Sequence, residues 1–301
     1  MSTTSALLPE TLEPFVTTVF FRRLRMIRPI FPSLFNIETS GRAFEEFLRV
    51  AGLATLALKP EGTSVAYDDP VQGARVRTVM VSYALGFRVT FEMVEDEQHN
   101  VIRRMPEELA EAAADHRERI AHEPFNDAFA GASHTGLDGL ALCATHTNLK
   151  TGTTQSNSIV PAVGLTVSGL QAGVNALENQ QNDSDRFITI QSSTLLVPTN
   201  LNFPARELLR SQDRPDTADR AVNTVSTNQL GVQQVTSPYL TDVDNWFLLG
   251  RKSDHTLTWW NRKALTKDSA TDFDTKDLKW TILYRAAVAF YEWQGVVGMQ
   301  V

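Results

Sequence analysis

The side chains best suited to chemistry are a single cysteine and six histidines. Cys143 and His146 stand three apart, close enough to suggest a nucleophile beside a base. A strand puts residues two apart on one face, so this spacing separates them. A core thiol and a loop histidine form the plainer reading. His116 and His122 are six apart, which keeps them off one helical face at ligand distance. His122-Glu123 is followed by Pro124, where a zinc-protease helix needs its second histidine further on. His99, His134 and His255 stand in no ligand-like spacing. The carboxylate pairs Asp68/Asp69 and Asp183/Asp185 lie among turn-forming residues and read as solvated turn groups. No Gly-x-Ser-x-Gly elbow, P-loop or dinucleotide fingerprint occurs. The expectation is therefore no catalytic residue, no metal site and no cofactor.

Composition narrows the class further. Hydrophobic residues make up 42% of the 301 and charged residues 21%, which is ordinary globular usage with material for a sizeable core. A net charge of −7 argues against a protein that grips nucleic acid with its whole surface. One thiol cannot form an internal disulfide, which suits synthesis in a reducing cytosol. The first residues lack the basic start and apolar run of a secretion signal. No uninterrupted apolar run of about 18 residues occurs, so no membrane span is expected. Arg22, Arg23, Arg25 and Arg28 form a basic cluster with two readings, contact with a polyanion such as DNA or pairing with acidic side chains. Trp259, Trp260, Trp280, Tyr291 and Trp293 fall in strand-like segments and read as core or interface packing.

These groups must be positioned by a mixed set of elements. Residues 1–36, broken by Pro9, Pro14, Pro29 and Pro32, read as an arm that lies across another surface. Phe44 to Ala54 reads as a short helix or the end of one. Phe87, Val89, Phe91 and Met93 alternate with Arg88, Thr90 and Glu92, the period of a half-buried strand. Residues 55–94 are then expected to form one long β-hairpin with its tip near Asp69 to Gly73. Pro106, Glu107 and Glu108 suit a first helical turn. Val101, Met105, Leu109, Ala112, Ala113, His116 and Ile120 supply that helix with an apolar face, and Pro124 marks its end. Leu140 to Cys143 reads as a short strand, and Thr166 to Gln181 as a second helix. Phe187 to Val197 reads as a strand, Pro204 to Leu209 opens a third helix, and residues 211–234 are surface-rich. Trp246 to Leu249 and Thr256 to Trp260 read as strands. The closing segment Trp280 to Val297 is a strand pair or bent strand with Trp280, Tyr284 and Phe290 as core anchors. The class is α+β without regular βαβ alternation. A lone hairpin is marginal in water, so something outside the chain is expected to cover it.

The order of these parts resembles the HK97-type fold of tailed-bacteriophage major capsid proteins, and in particular the Mu-like major head subunit family. The stretch Phe273-Asp274-Thr275-Lys276-Asp277-Leu278-Lys279-Trp280, with Tyr284-Arg285-Ala286 and Tyr291-Glu292-Trp293-Gln294-Gly295-Val296-Val297-Gly298, is similar to that family's closing strands. Asn245-Trp246-Phe247-Leu248-Leu249 resembles the strand leaving its axial domain. Asp138-Gly139, an apolar strand and Thr145-His146 also fit the Mu-like group.

The resemblance implies an N-terminal arm at 1–36, an E-loop hairpin at 55–94 and a spine helix at 98–123. It implies a peripheral domain from 37–54, 95–165 and 265–301, and an axial domain from 166–264. The implied function is a major capsid protein that self-assembles into hexamers and pentamers of an icosahedral shell around double-stranded DNA. The chain's main partner is then itself, joined by a separate scaffold, a portal and a decoration protein, with only weak non-specific DNA contacts and no membrane. The implied location is the virion capsid, after assembly in the host cytoplasm. Arm candidates for inter-subunit contact are Phe20, Phe21, Arg22, Arg23, Arg25 and Arg28. Hairpin candidates are Tyr67, Asp68, Asp69, Arg75 and Arg77. Some relatives cross-link through a lysine at the E-loop tip; with Lys59 read nearer the base, a single monomer band is expected on denaturing gels. Two alternatives stay open, an encapsulin-like compartment shell and, in another class, a small hydrolase or binding protein using the His146 region.

Overall fold

A computed structural model of the chain describes residues 8–90, 92, 93, 96, 99–131, 133–159, 164–211 and 231–301. Two four-stranded sheets organise it. The first has the order β1-β10-β11-β4, from Asn36–Thr39, Thr258–Thr271, Leu278–Ala289 and Val81–Val89. The second has the order β12-β9-β7-β8, from Val296–Met299, Trp246–Gly250, Ser192–Pro198 and Gln233–Ser237. β2 (Phe44–Ala51) and β3 (Val71–Val79) form a separate ribbon, as do β5 (Thr145–Thr147) and β6 (Thr154–Ser156).

β11 shows why the first sheet forms where it does. Leu278, Trp280, Ile282, Tyr284 and Ala286 alternate onto one buried face. α3 (His99–Asn126) lies over that face. Leu109, Ala110 and Ala113 meet Ile282, and Ile120, Ala121 and Phe125 join Tyr284 in the main core. His116 Nδ1 and Tyr284 Oη are 2.7 Å apart and fix the contact. Pro106 and Pro124 both lie inside this helix, so neither marks its ends as expected.

The second sheet is covered by α4 (Val167–Glu178), which lays Leu170, Val174 and Leu177 on Trp246, Leu248, Val297 and Met299. Thr166 caps it, its Oγ1 accepting from Gly169 N at 3.1 Å. A Cβ at Gly173 would stand 2.9 Å from the mobile end of the Met299 side chain and 3.5 Å from Trp246, so the helix packs closely on this sheet there. α5 (Asn202–Arg210) adds Ala205 and Leu208 to the same core.

Several expectations are corrected. Within the arm, Leu8–Met26 is a helix, α1, with Pro14 inside it. Val16, Val19 and Phe20 fall at helical spacing and are buried in the chain's own core, Phe20 against Leu109, Ala110 and Ala113. After it, α2 (Phe31–Leu34) is held by the buried carboxylate of Glu118, which accepts from Ile30 N at 2.6 Å and Phe31 N at 3.2 Å. Phe44–Ala51 is strand, since its buried positions alternate along pairing with β3. Val71–Val79 pairs with that strand, whereas Val81–Val89 belongs to the first sheet beside β11. The hairpin is therefore β2–β3, broken from β4 at Met80, and its tip is residues 52–70. There Thr63 N donates to Pro60 O at 3.3 Å and Gly62 takes φ 75°, the left-handed turn glycine allows. Lys59 sits beside this turn, at the tip and not the base, so the sequence ground for doubting a cross-link there is gone. Leu140 to Cys143 is a run of bends. The closing segment splits: β11 ends at Ala289 and β12 joins the second sheet, so the expected unit 265–301 serves both sheets. Of the expected surface segment 211–234, residues 212–230 lie outside the described residues, as does Phe91.

Candidate inter-subunit surface

The β2–β3 ribbon has two faces of different character. Phe47, Arg49 and Ala51 turn inward on β2, with Gly73, Val76 and Thr78 on β3. The outward side carries Phe44, Leu48, Val50, Val71 and Val79, all exposed. Glu46 lies 3.4 Å from Arg77 and 3.8 Å from Arg75, and Arg77 covers the Phe44 ring at 4.1 Å. Beyond the strands every residue from 52 to 70 is exposed. Leu56 is 102% exposed, Leu58 92% and Tyr67 94%, as open as in an unfolded chain. Three large apolar groups at that exposure, on a ribbon with little cover of its own, describe a surface awaiting a partner.

The inward side is attached at two levels. At the root, Phe47 stacks on Tyr291 at 3.6 Å, and Val76 and Met80 pack with Trp260, whose Nε1 donates to Tyr291 Oη at 2.6 Å. Further out the attachment is polar. Arg49 Nε donates to Asp183 Oδ2 at 3.0 Å, its second nitrogen pairs with Asp183 Oδ1, and it also donates to Thr147 O at 2.9 Å. Asp183 further accepts from Leu149 N at 3.1 Å. Lys150 Nζ pairs with Asp68 and reaches Gly52 O at 3.2 Å and Asp69 O at 3.3 Å. Ser184 Oγ donates to the same Gly52 carbonyl at 3.0 Å. The N–H of Ala54 and the Lys150 ammonium hold the Asp68 carboxyl below its ordinary range. Arg49, Lys150 and Ser184 carry no mark in the sequence that singles them out. Asp183 read as a turn carboxylate, and its partner lies 134 residues away.

The expected contact residues thus divide. Tyr67, Asp68, Asp69, Arg75 and Arg77 share the ribbon, with Asp68 engaged by Lys150 and the two arginines by Glu46. Phe20 is excluded, being 1% exposed within its own subunit, and Phe21 is half-buried beside it at 5.1 Å. Arg22 and Arg23 face Glu107 at 3.8 Å and Glu111 at 2.6 Å on α3, so both pair within the subunit. Arg25 Nε donates to Phe21 O at 3.1 Å, and Arg28 lines the cleft between the end of α1 and α3.

The alternative chemistry finds no geometry. Cys143 is buried against Gly298 and Phe129, and burial drives its thiol well above the ordinary range. His146 Nδ1 is bonded to Asp138, and its ring stacks on Trp293 at 4.6 Å and 5°. Burial raises the Asp138 pKa, but the His146 hydrogen bond and charge outweigh this and keep it below its usual value. Among the described residues no group of histidine, cysteine and carboxylates is placed to hold a metal ion. No helix among them is long and apolar enough to cross a membrane.

No curated protein matches the sequence. In fold the chain is similar to a virus-like particle from Pyrococcus furiosus, at 7% identity over 95% of this chain and 98% of that one, with a TM-score of 0.54. It is also similar to a chain of Mycobacterium phage Che8, at 15% identity over 90% of each, with a TM-score of 0.55. The procapsid of bacteriophage JBD30 matches at 14% identity over 98% of this chain and 75% of that one, with a TM-score of 0.53. The fold is the HK97 type. Residues 74–298 match the model of a family described as phage capsid protein, and those residues run from within β3 through β4, α3 and every later element to all but the last residue of β12. The chain belongs to the phage capsid protein family.

Proposed function

We propose that this subunit builds hexamers and pentamers of an icosahedral shell enclosing double-stranded DNA, and that the outer face and tip of the β2–β3 hairpin lie over a neighbouring subunit. The observation that carries the reading is the near-complete exposure of Leu56, Leu58 and Tyr67 on a projecting ribbon. Closed symmetric assembly would cover such a surface without leaving open ends. The first sheet with α3 corresponds to a peripheral domain, and the second sheet with α4 to an axial domain. Within the family the Asp138-Gly139 and Thr145-His146 motifs favour the Mu-like head subunits. A scaffold, a portal and a decoration protein complete the partners, DNA contact is weak and non-specific, and assembly takes place in the host cytoplasm. The role is structural, without catalysis. The family match favours a phage shell over a cargo compartment.

The test replaces Leu56, Leu58 and Tyr67 together by serine and images the product by electron microscopy. Soluble subunits or capsomers with the melting temperature of the unaltered chain, and no closed shells, are expected. Normal shells from this variant would sink the proposal.

A further inference from the structure

We infer that Arg49, Asp183 and Lys150 form a clasp that sets the angle at which the hairpin is presented to a neighbouring subunit. The inference rests on the hairpin being an inter-subunit arm. A two-stranded ribbon anchored only by Phe47, Val76 and Met80 could swing about its root, because apolar contact has no direction. The clasp supplies direction. Arg49 meets Asp183 through two nitrogens in a fixed plane, and the pair is largely buried, with side chains 10% and 13% exposed. Buried ion pairs stabilise a fold weakly for the desolvation they cost, and their better-attested use is to fix one arrangement among several.

Three local features converge here. The β2–β3 register slips between Leu48 and Val50, so Arg49 faces a bulge in β3 made by Gly73 and Ala74, a device that bends a ribbon locally. Gly73 lies in that bulge, where a Cβ would stand 2.9 Å from the Leu149 Cδ2 and 3.3 Å from the Arg49 Cβ, so a larger residue would press on the clasp loop. In the turn that carries Asp183, Asp185 adopts φ 58°, and its carboxylate accepts from Thr151 Oγ1 at 2.9 Å and also bonds Asn148 and Thr153. The loop that presents Lys150 and the turn that presents Asp183 are thereby tied to each other before either touches the hairpin. The ties reach both ends of the tip, at Gly52 and at Asp68 and Asp69.

The test measures the hairpin angle directly. Spin labels are placed at Arg75→Cys on the hairpin and Glu178→Cys at the end of α4, in the full chain before assembly; buried Cys143 takes no label. A single narrow distance distribution is expected from the labelled chain. Asp183→Asn and Lys150→Ala are each expected to lose it for a broad one, and to give malformed shells or shells of mixed size. Lys150→Ala strands no buried charge, so it carries the test if Asp183→Asn does not fold. An unchanged distribution in Lys150→Ala would overturn the clasp, and so would a broadened one with uniform closed shells. Normal shells from the serine-substituted tip would instead remove the hairpin's role as an arm, whatever the label distances show.

Discussion

α1 and the hairpin tip are both apolar-rich extensions flanking the first sheet, and they end in opposite environments. Val16, Val19 and Phe20 disappear into the subunit, while Leu56, Leu58 and Tyr67 meet only solvent. The difference is one of cover. Val16, Val19 and Phe20 fall three and four apart, so one helical face gathers them and α3 offers a matching stripe. Leu56 and Leu58 stand two apart, as on a strand face, but residues 52–70 pair with no strand and no described element of the same subunit covers them. Apolar content therefore does not mark an assembly surface, whereas apolar content that the subunit leaves uncovered does.

The strongest way to break this comparison is to remove the buried anchor. Phe20→Ala should lower subunit stability by about 3–5 kcal/mol, read by urea denaturation. A loss below about 1 kcal/mol would mean that α1 is not packed as described.

Acid should discriminate next, because the perturbed histidines lie in the body and none in the tip. Burial lowers the pKa of His255 from 6.5 to about 4, and burial also lowers those of His122 and His134. A histidine with a lowered native pKa binds fewer protons folded than unfolded between the two values. Stability therefore falls as pH drops from 6.5 to about 4, by roughly 3 kcal/mol at most for His255. Glu118 has the opposite sign, since burial raises its pKa and the native state gains protons first. Melting against pH should show the net loss, and His255→Asn should flatten it; an equal slope in that variant would dismiss His255 as the source.

Arg23→Ala should cost less, under about 1 kcal/mol, because its pair with Glu111 is solvent-exposed and screened. Thermal melts at two salt concentrations would show it. Smallest of all, Leu58→Ser should change subunit stability by no more than about 0.5 kcal/mol. Chymotrypsin sharpens the same point. Isolated subunits should be cut first at Leu56, Leu58 or Tyr67, and assembled shells should be protected there. A first cut at Phe20 would reverse the comparison.

Much of the body was legible in the chain. The apolar face of α3, the stripe of α4 and the alternation of β11 are local periods, and Trp280, Tyr284 and Phe290 are buried as their positions implied. What escaped is non-local or ambiguous. Phe44, Phe47, Leu48 and Ala51 fit a helical face as well as a strand, and pairing with β3 decides between them. α1 was obscured by Pro14, which a helix held by tertiary packing tolerates. That β3 joins β2 and not β4 follows from the break at Met80, which no residue type announces. The clasp joins residues too far apart in sequence to be read as a pair.

The path of the last strands has a consequence for how the protein is made. β1 waits for β10, β4 waits for β11, and β9 waits for β12, so both sheets close only near the end of synthesis. At about 5–20 residues per second, β1 emerges on the order of ten seconds or more before its partner exists. Through that interval the ribosome carries unpaired edges and an apolar tip, at a site where many copies of one message are being read together. Folding chaperones should be needed then, and a chain cut short before Leu278 is expected to aggregate rather than enter a shell.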